Sequence, residues 1–225
     1  MAKESRVKKA LKNPSKAYNY LKRNTHPIHL FENPYLFITS RHPFGDHVLE
    51  QDWDVLVVLD TCRVDALRRV SDEYEFIDDV DRIWSLGGTS PEWIAHTFDR
   101  KHREELSKTA YITSNPHAET VLEDRKPLKN HSHDARRFYR YGRWNPVELE
   151  ELALYDPVFS YHSEVEIEDI DHVDDVTPPR YITDRAISVN REESPERMIL
   201  HYMQPHYPWV SRAIRENREL KEWEK

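Results

Sequence analysis

The stretch WDVLVVLDTCRVDALRRV, residues 53–70, decides the fold, because an apolar run in it ends abruptly at a group of charged and polar residues. Val55–Leu59 consists of five consecutive aliphatic residues, three of which are β-branched. Such a run is typical of a strand that is covered on both faces in a parallel sheet, and it predicts an α/β fold. Asp60 then lies at the carboxyl end of this strand, which is the edge of an open α/β sheet where ligands bind.

The residues after Asp60 predict a helix from Cys62 to Val70. Thr61 is a candidate cap for this helix, and its apolar positions are expected to pack inward, namely Val64, Ala66 and Leu67. Arg63 is the cation nearest to Asp60 in sequence and a candidate for binding an anionic substrate. Two interpretations of Asp60 stay open here: a functional carboxylate, or a residue that merely precedes a helix.

Composition limits the classes of function. The 225 residues, 38% of them hydrophobic, are enough for one sizeable core. The net charge of -8 argues against a general nucleic-acid binder. Cys62 is the only cysteine, so no internal disulfide is expected, and no apolar run approaches the ~20 residues that span a bilayer. Because the first thirty residues lack the apolar core of a secretory signal, we expect a cytoplasmic protein.

Charge is concentrated in the first 24 residues, which hold eight basic side chains and one acidic side chain. The basic residues of this arm are Lys3, Arg6, Lys8, Lys9, Lys12, Lys16, Lys22 and Arg23. Its apolar spacing predicts one or two amphipathic helices interrupted by Pro14, which would lie on an anionic membrane or on a partner. The alternative is a solvated surface helix or a frayed terminus. Residues 26–51 have no clear period and predict an irregular lead-in, so we divide the chain into an arm at 1–51 and an α/β domain at 52–225.

A second informative stretch is SLGGTSPEWIAHTF, residues 85–98. Pro91 suits the first position of a helix, and Thr89 with Glu92 matches the capping-box spacing. The same features could form an anion site, because free backbone N–H groups and the positive end of the helix dipole converge on Thr89 and Ser90. A plain helix cap is the alternative.

Further elements follow from the remaining patterns. Strands are predicted at Tyr74–Ile77, Lys108–Ser114 and Arg197–Met203, and helices at Pro146–Ala153, Thr177–Val189 and Ser211–Lys225. The basic and aromatic segment Asp124–Trp144 is expected to be an insertion near the mouth of the site.

His117 and His206 each follow a predicted strand, and either is a candidate ligand or an exposed loop residue. Asp60, Thr89 and His206 are therefore expected to lie on the same side of the sheet.

The order of LDTCRVDAL, GGTSPEW, TSNPH and LHYMQPHYPW resembles the sulfatase-like branch of the alkaline phosphatase superfamily, over residues 52–210. The resemblance implies a three-layer, alkaline phosphatase-like fold and an enzyme that hydrolyses or transfers a phosphate or sulfate ester. It implies Asp60 as a metal ligand, Thr89 as metal ligand and nucleophile with Ser90 as the second choice, and His206 as a contact to the anionic group. Cys62 lies outside the formylglycine motif of sulfatases, which disfavours that subclass.

One departure from the family is large. The D-H-G or D-N-G motif that completes the metal site in the family's second half has no counterpart here. We therefore expect an incomplete site for Mn²⁺, Mg²⁺, Ca²⁺ or Zn²⁺, and a chain that is nearly silent by itself, because such ions need four or more ligands. A second chain that completes the fold would restore the site. The alternative function is that of a catalytically inactive, truncated member that binds a partner or a membrane.

Overall fold

The computed structural model describes residues 29–125, 133–163, 177–206, 209, 211–219 and 221. Four parallel strands form its sheet, in the order β1-β4-β2-β3. They are β1 Val55–Leu59, β2 Thr109–Thr113, β3 Leu154–Pro157 and β4 Arg197–Tyr202. The predicted α/β class with a parallel sheet is confirmed, and so are the strands predicted around residues 55, 110 and 200. The helices predicted for residues 1–24 lie outside the described residues.

Helices flank the sheet and connect its strands. They are α1 His29–Thr39, α2 Val64–Val70, α3 Ser90–Thr97, α4 Arg103–Leu106, α5 His133–Tyr141, α6 Pro179–Glu192 and α7 Ser211–Glu216, with a π-helix at Glu119–Asp124. Short 3₁₀ turns occupy Val48–Glu50, Ser71–Glu73, Arg100–His102, Leu149–Glu151 and Val158–Ser163. Helices predicted after Ser90 and after the prolines at 178–179 are confirmed. Among the described residues, none of the helices combines the length and the apolar character that crossing a membrane requires.

Several element predictions are wrong for local reasons. Tyr74–Ile77 is a turn, because its backbone N–H groups bond to carbonyls three residues earlier. Pro146–Ala153 holds only one 3₁₀ turn, because the Val147 N–H bonds to the Phe98 carbonyl and β3 follows at once. The lead-in at 26–51, predicted to be irregular, contains α1, and the last helix ends at Glu216 instead of Lys225. The segment 124–144, predicted as an insertion, contains α5.

Side chains of the central strands alternate between two cores, as the two-residue period of a strand requires. Tyr111 of β2 and Ile199 of β4 face a core formed with α3, α4 and the π-helix. Their neighbours in sequence face a second core beneath α6, namely Ala110, Ile112, Met198 and Leu200. The architecture is thus three layers, with helices on both faces of the sheet.

Strand β1 is not covered on both faces, which corrects the sequence prediction. Among the described strands it lies at the edge of the sheet and pairs with β4 alone. Leu56 and Val58 pack on the α3 side, but Val55, Val57 and Leu59 remain 44%, 51% and 39% exposed. The α6 core contains residues of β2 and β4 but none of β1. The following α2 also buries no residue, so its predicted inward packing is wrong.

Candidate functional site

Asp60 follows the last residue of β1 and lines a cleft of about 360 Å³ at the carboxyl edge of the sheet. Side chains on the α3 side of β1 have even numbers, so Asp60 continues the row of Leu56 and Val58. The other residues that line the cleft are Val58, Leu59, Thr61, Ser85, Gly87, Gly88, Thr89, Ser90, Trp93 and His201. The structure therefore brings Asp60 together with both hydroxyl residues of the GGTSPEW stretch.

The turn after Asp60 is strained. Thr61 has a φ of 62°, in the left-handed region that a β-branched residue adopts only at a cost of about 1–3 kcal/mol. Thr61 consequently does not cap α2. The N-cap position belongs to Arg63, which makes no side-chain cap. Backbone bonds hold the turn, because the Asp60 N–H donates to the Tyr202 carbonyl and the Cys62 N–H donates to the Leu59 carbonyl.

Asn115, just beyond the end of β2, links three parts of the site although it is fully buried. Its Nδ2 lies 3.0 Å from Asp60 Oδ2, to which it donates, and 3.5 Å from His201 Nε2. Its Oδ1 accepts the backbone N–H of His117 at 3.0 Å, and this bond assigns the orientation of the amide. The amide therefore presents its N–H donors, and not its oxygen, towards Asp60.

His201 forms the floor of the cleft on β4 and is only 2% exposed. Burial, with a smaller contribution from the nearby His117, lowers the pKa of His201 to about 4, so the ring is neutral at pH 7. Its Nδ1 lies 2.9 Å from the buried Tyr111 hydroxyl. Because Asn115 Nδ2 can only donate, the ring proton is assigned to Nδ1, which donates to Tyr111. Burial raises the pKa of Tyr111 well above its usual value of 10, so this partner is neutral as well.

The start of α3 presents two hydroxyls with different partners. Ser90 Oγ donates to Asp60 Oδ2 at 3.2 Å, whereas Thr89 Oγ1 donates to Glu92 Oε2 at 3.4 Å. The Glu92 carboxylate also accepts the backbone N–H of Gly88 at 3.0 Å and that of Thr89. The Glu92 carboxylate thus accepts hydrogen bonds from two backbone N–H groups that, on the sequence prediction, would have bound an anion. Burial raises the pKa of this carboxyl above its usual range.

Three residues predicted to bind substrate lie elsewhere on the structure. Arg63 is exposed, pairs with Asp65 at 2.8 Å and lines a separate, larger cavity. His117 is exposed in the loop after Asn115, close enough to His201 to influence its pKa. The His206 N–H donates to the Met203 carbonyl in a turn after β4. None of the three is among the residues that line the cleft of Asp60.

The donors in the cleft fit part of a divalent-metal site. The Asp60 carboxylate and the Ser90 or Thr89 hydroxyl are hard oxygen ligands that suit Mg²⁺, Mn²⁺ or Ca²⁺. Asn115 does not add an amide oxygen, because its Oδ1 accepts the His117 N–H. Across the described parts of the chain, no group of three or more His, Cys, Asp or Glu side chains is placed to hold an ion.

Two residues of the site were not among the predicted site residues, although His201 is, with His117 and Asp184, one of the residues from which the sequence could supply a further ligand. Asn115 carried no signal beyond its place in the TSNPH stretch after a predicted strand, and His201 stands inside a strand, where a buried structural histidine is expected. The usable signal is position: Asn115 follows β2 as Asp60 follows β1, and both strands end at the same edge. Strand order was needed to see that β4 lies between them.

No protein-family model, no curated protein and no solved structure matches this chain.

Proposed function

We propose that the chain is a sulfatase-like, metal-dependent protein of the alkaline phosphatase superfamily, whose cleft at Asp60 acts on a phosphate or sulfate ester. The observation that carries the proposal is the Ser90 hydroxyl at 3.2 Å from the Asp60 carboxylate, at the start of a helix and at the carboxyl edge of a parallel sheet. A hydroxyl that is hydrogen-bonded to a neighbouring proton acceptor, or bound to a metal ion, is activated as a nucleophile.

In this proposal a hydroxyl at the start of α3 attacks the phosphorus or sulfur atom in line and passes its proton to Asp60. The bond to the ester oxygen breaks, and the leaving group takes up a proton to become an alcohol. Water or another acceptor hydroxyl then takes the group from the protein and restores the free hydroxyl. Asp60 accepts the hydroxyl hydrogen bond and is oriented by Asn115, which donates to the same oxygen at 3.0 Å. Ser90 is the better-placed hydroxyl, because Thr89 is directed to Glu92. A divalent ion held by Asp60 and the hydroxyl would neutralise the oxygens of the ester.

His201 and Tyr111, in the interior of the sheet beneath the cleft, support the hydrogen bonds between Asn115, Asp60 and Ser90. Since both are neutral and hydrogen-bonded to each other, they offer Asn115 a fixed acceptor without adding charge to the cleft. The orientation of the Asn115 amide, and through it that of the Asp60 carboxylate, thus depends on the interior of the sheet.

The test combines binding with turnover on the full chain. Hydrolysis of aryl phosphate, phosphodiester and sulfate esters is measured with added Mn²⁺, Mg²⁺, Ca²⁺ or Zn²⁺, and thermal unfolding is measured with Mn²⁺ and inorganic phosphate or sulfate. A ligand at 100 times its Kd stabilises the fold by about 2.7 kcal/mol, so binding is visible even where turnover is absent. Asp60→Asn should abolish both signals.

Ser90→Ala and Thr89→Ala form a matched pair, because the two hydroxyls are neighbours on the same turn. We expect Ser90→Ala to remove turnover and Thr89→Ala to retain most of it. If Thr89→Ala removes turnover and Ser90→Ala retains it, then Thr89 is the nucleophile and the proposed reaction is otherwise unchanged. A chain that shows neither metal-dependent stabilisation nor turnover, or whose signals survive Asp60→Asn, contradicts the proposal.

A second candidate is a binding module without catalysis, in which another chain packs on β1. The exposed face formed by Val55, Val57 and Leu59 on an edge strand favours it, because apolar edge strands readily pair with other chains. Val57→Asp should abolish such association, measured by light scattering after size exclusion, while Asp60→Asn should leave it intact. Equal association in wild type and Val57→Asp would eliminate this candidate.

A further inference from the structure

Helix α1 presents apolar side chains to solvent on one stripe. Phe31, Tyr35 and Ile38 are spaced at i, i+4 and i+7, so they lie on one face of the helix, and they are between 48% and 76% exposed. We call these three residues the apolar stripe. Phe37 and Phe44 nearby are also more than half exposed.

A neighbouring face of α1, about 90° from the apolar stripe, holds the helix on the protein. Glu32 Oε2 pairs with Arg137 Nη1 of α5 at 2.6 Å, and Thr39, on the same face of α1, is largely buried. Arg41, just after the helix, donates to the carbonyl of Tyr141. Polar contacts thus fix this helix with its apolar face outward, which is the reverse of a helix that packs on a core.

The segment that precedes α1 is strongly basic, whereas the whole chain is acidic. The basic arm, with eight cationic side chains against one acidic side chain, ends at Asn24, and α1 begins at His29. Five residues of chain span at most about 18 Å, so the sequence tethers the basic arm to the start of α1. With a total charge of -8, the rest of the chain is strongly acidic. An anionic surface would therefore attract the basic arm and repel the rest of the chain.

We infer that α1 is a membrane-docking surface, in which the apolar stripe enters the interface of an anionic lipid bilayer and the basic arm contacts the headgroups. Aromatic and aliphatic side chains beside Lys and Arg are the features of helices that lie in the plane of the interface. Arg41, whose guanidinium lies 3.8 Å from the centre of the Phe37 ring, adds one more cation at the edge of this surface.

The docking surface borders the cleft of Asp60. The Tyr35 hydroxyl lies 3.4 Å from the position that a Cβ on Gly88 would take, and Gly88 lines the cleft. Lipid docking would accordingly hold the mouth of the cleft near the bilayer surface. This inference concerns the surface alone and does not depend on the ester chemistry proposed above.

The test is co-flotation of the full chain with vesicles of pure phosphatidylcholine or of equal parts phosphatidylcholine and phosphatidylglycerol. We expect binding to the anionic vesicles only, and weaker binding as salt rises. Phe31→Ser with Ile38→Ser should weaken binding at least about tenfold, since two large apolar side chains no longer enter the interface. Lys8→Glu with Lys9→Glu should weaken it and reduce its dependence on salt.

Ile187→Ser is the matched control, because Ile187 is an equally exposed aliphatic residue on α6. It should bind vesicles as the wild type does, and circular dichroism melts should show that all variants are folded. Absence of binding by the wild type, or undiminished binding by the stripe variant, would overturn the inference. A concentration-dependent dimer that is lost in the stripe variant would also overturn it, because the stripe would then be a protein contact.

Discussion

Replacing Tyr111 by Phe tests whether the interior hydrogen bonds of the site stabilise the fold. The substitution removes one buried hydroxyl and leaves the ring that packs on Phe98, at 4.4 Å between centroids. His201 Nδ1, now 2.9 Å from that hydroxyl, would lose its partner in a site that water does not reach. A buried polar group without a partner costs about 1–3 kcal/mol, so we expect the free energy of unfolding to fall by that amount.

The measurement is urea denaturation followed by circular dichroism, with the m value expected to stay constant. In a chain of this size each kcal/mol lowers Tm by about 2–4 °C. Tyr202→Phe is the control, because the Tyr202 hydroxyl bonds to Thr183 Oγ1 at an exposed position where water can replace it. We expect a loss of less than about 0.5 kcal/mol there. Equal losses in the two variants would refute the reasoning that links Tyr111 to His201.

Further predictions concern acid stability and the glycines at the cleft. Burial lowers the pKa of three histidines to about 4, namely His47, His96 and His201. The unfolded chain binds these protons first, so stability is complete above pH 6.5 and falls, by up to about 1.4 kcal/mol per pH unit for each histidine, as the pH drops to 4. Melts between pH 8 and pH 4 would check this, and a flat profile would contradict it. Gly87→Ala should destabilise the fold by about 1–3 kcal/mol, because its Cβ would stand 2.4 Å from the backbone nitrogen of Trp93. Gly88→Ala, whose nearest neighbours would be side-chain oxygens at 3.4 Å, should be tolerated, and denaturation of both variants would show the contrast.

The local sequence was sufficient for the elements that carry the site. The aliphatic run Val55–Leu59 predicted β1, and with it the position of Asp60 at a strand end. Pro91 and the residues around it predicted the start of α3, because the fixed φ of proline suits the first turn of a helix. These signals depend only on neighbouring residues, so they could be read without knowledge of the fold. The same reasoning overestimated the cover of β1, since an apolar run does not tell an edge strand from a central one.

Tertiary structure alone decided which residues meet Asp60. Asn115 follows it by 55 positions in the chain, and the strand of His201 enters the sheet between β1 and β2. Strand order depends on how whole elements pack, and no local pattern in the sequence encodes it. The backbone at the start of α3 likewise decided that Ser90, and not Thr89, faces the carboxylate. Ser90 is the first residue of the helix, whereas Thr89 is the extended N-cap residue, with φ of -140° and ψ of 158°, so the two side chains point in different directions. Sequence thus placed a carboxylate and a pair of hydroxyls at the edge of a sheet, and packing selected their partners.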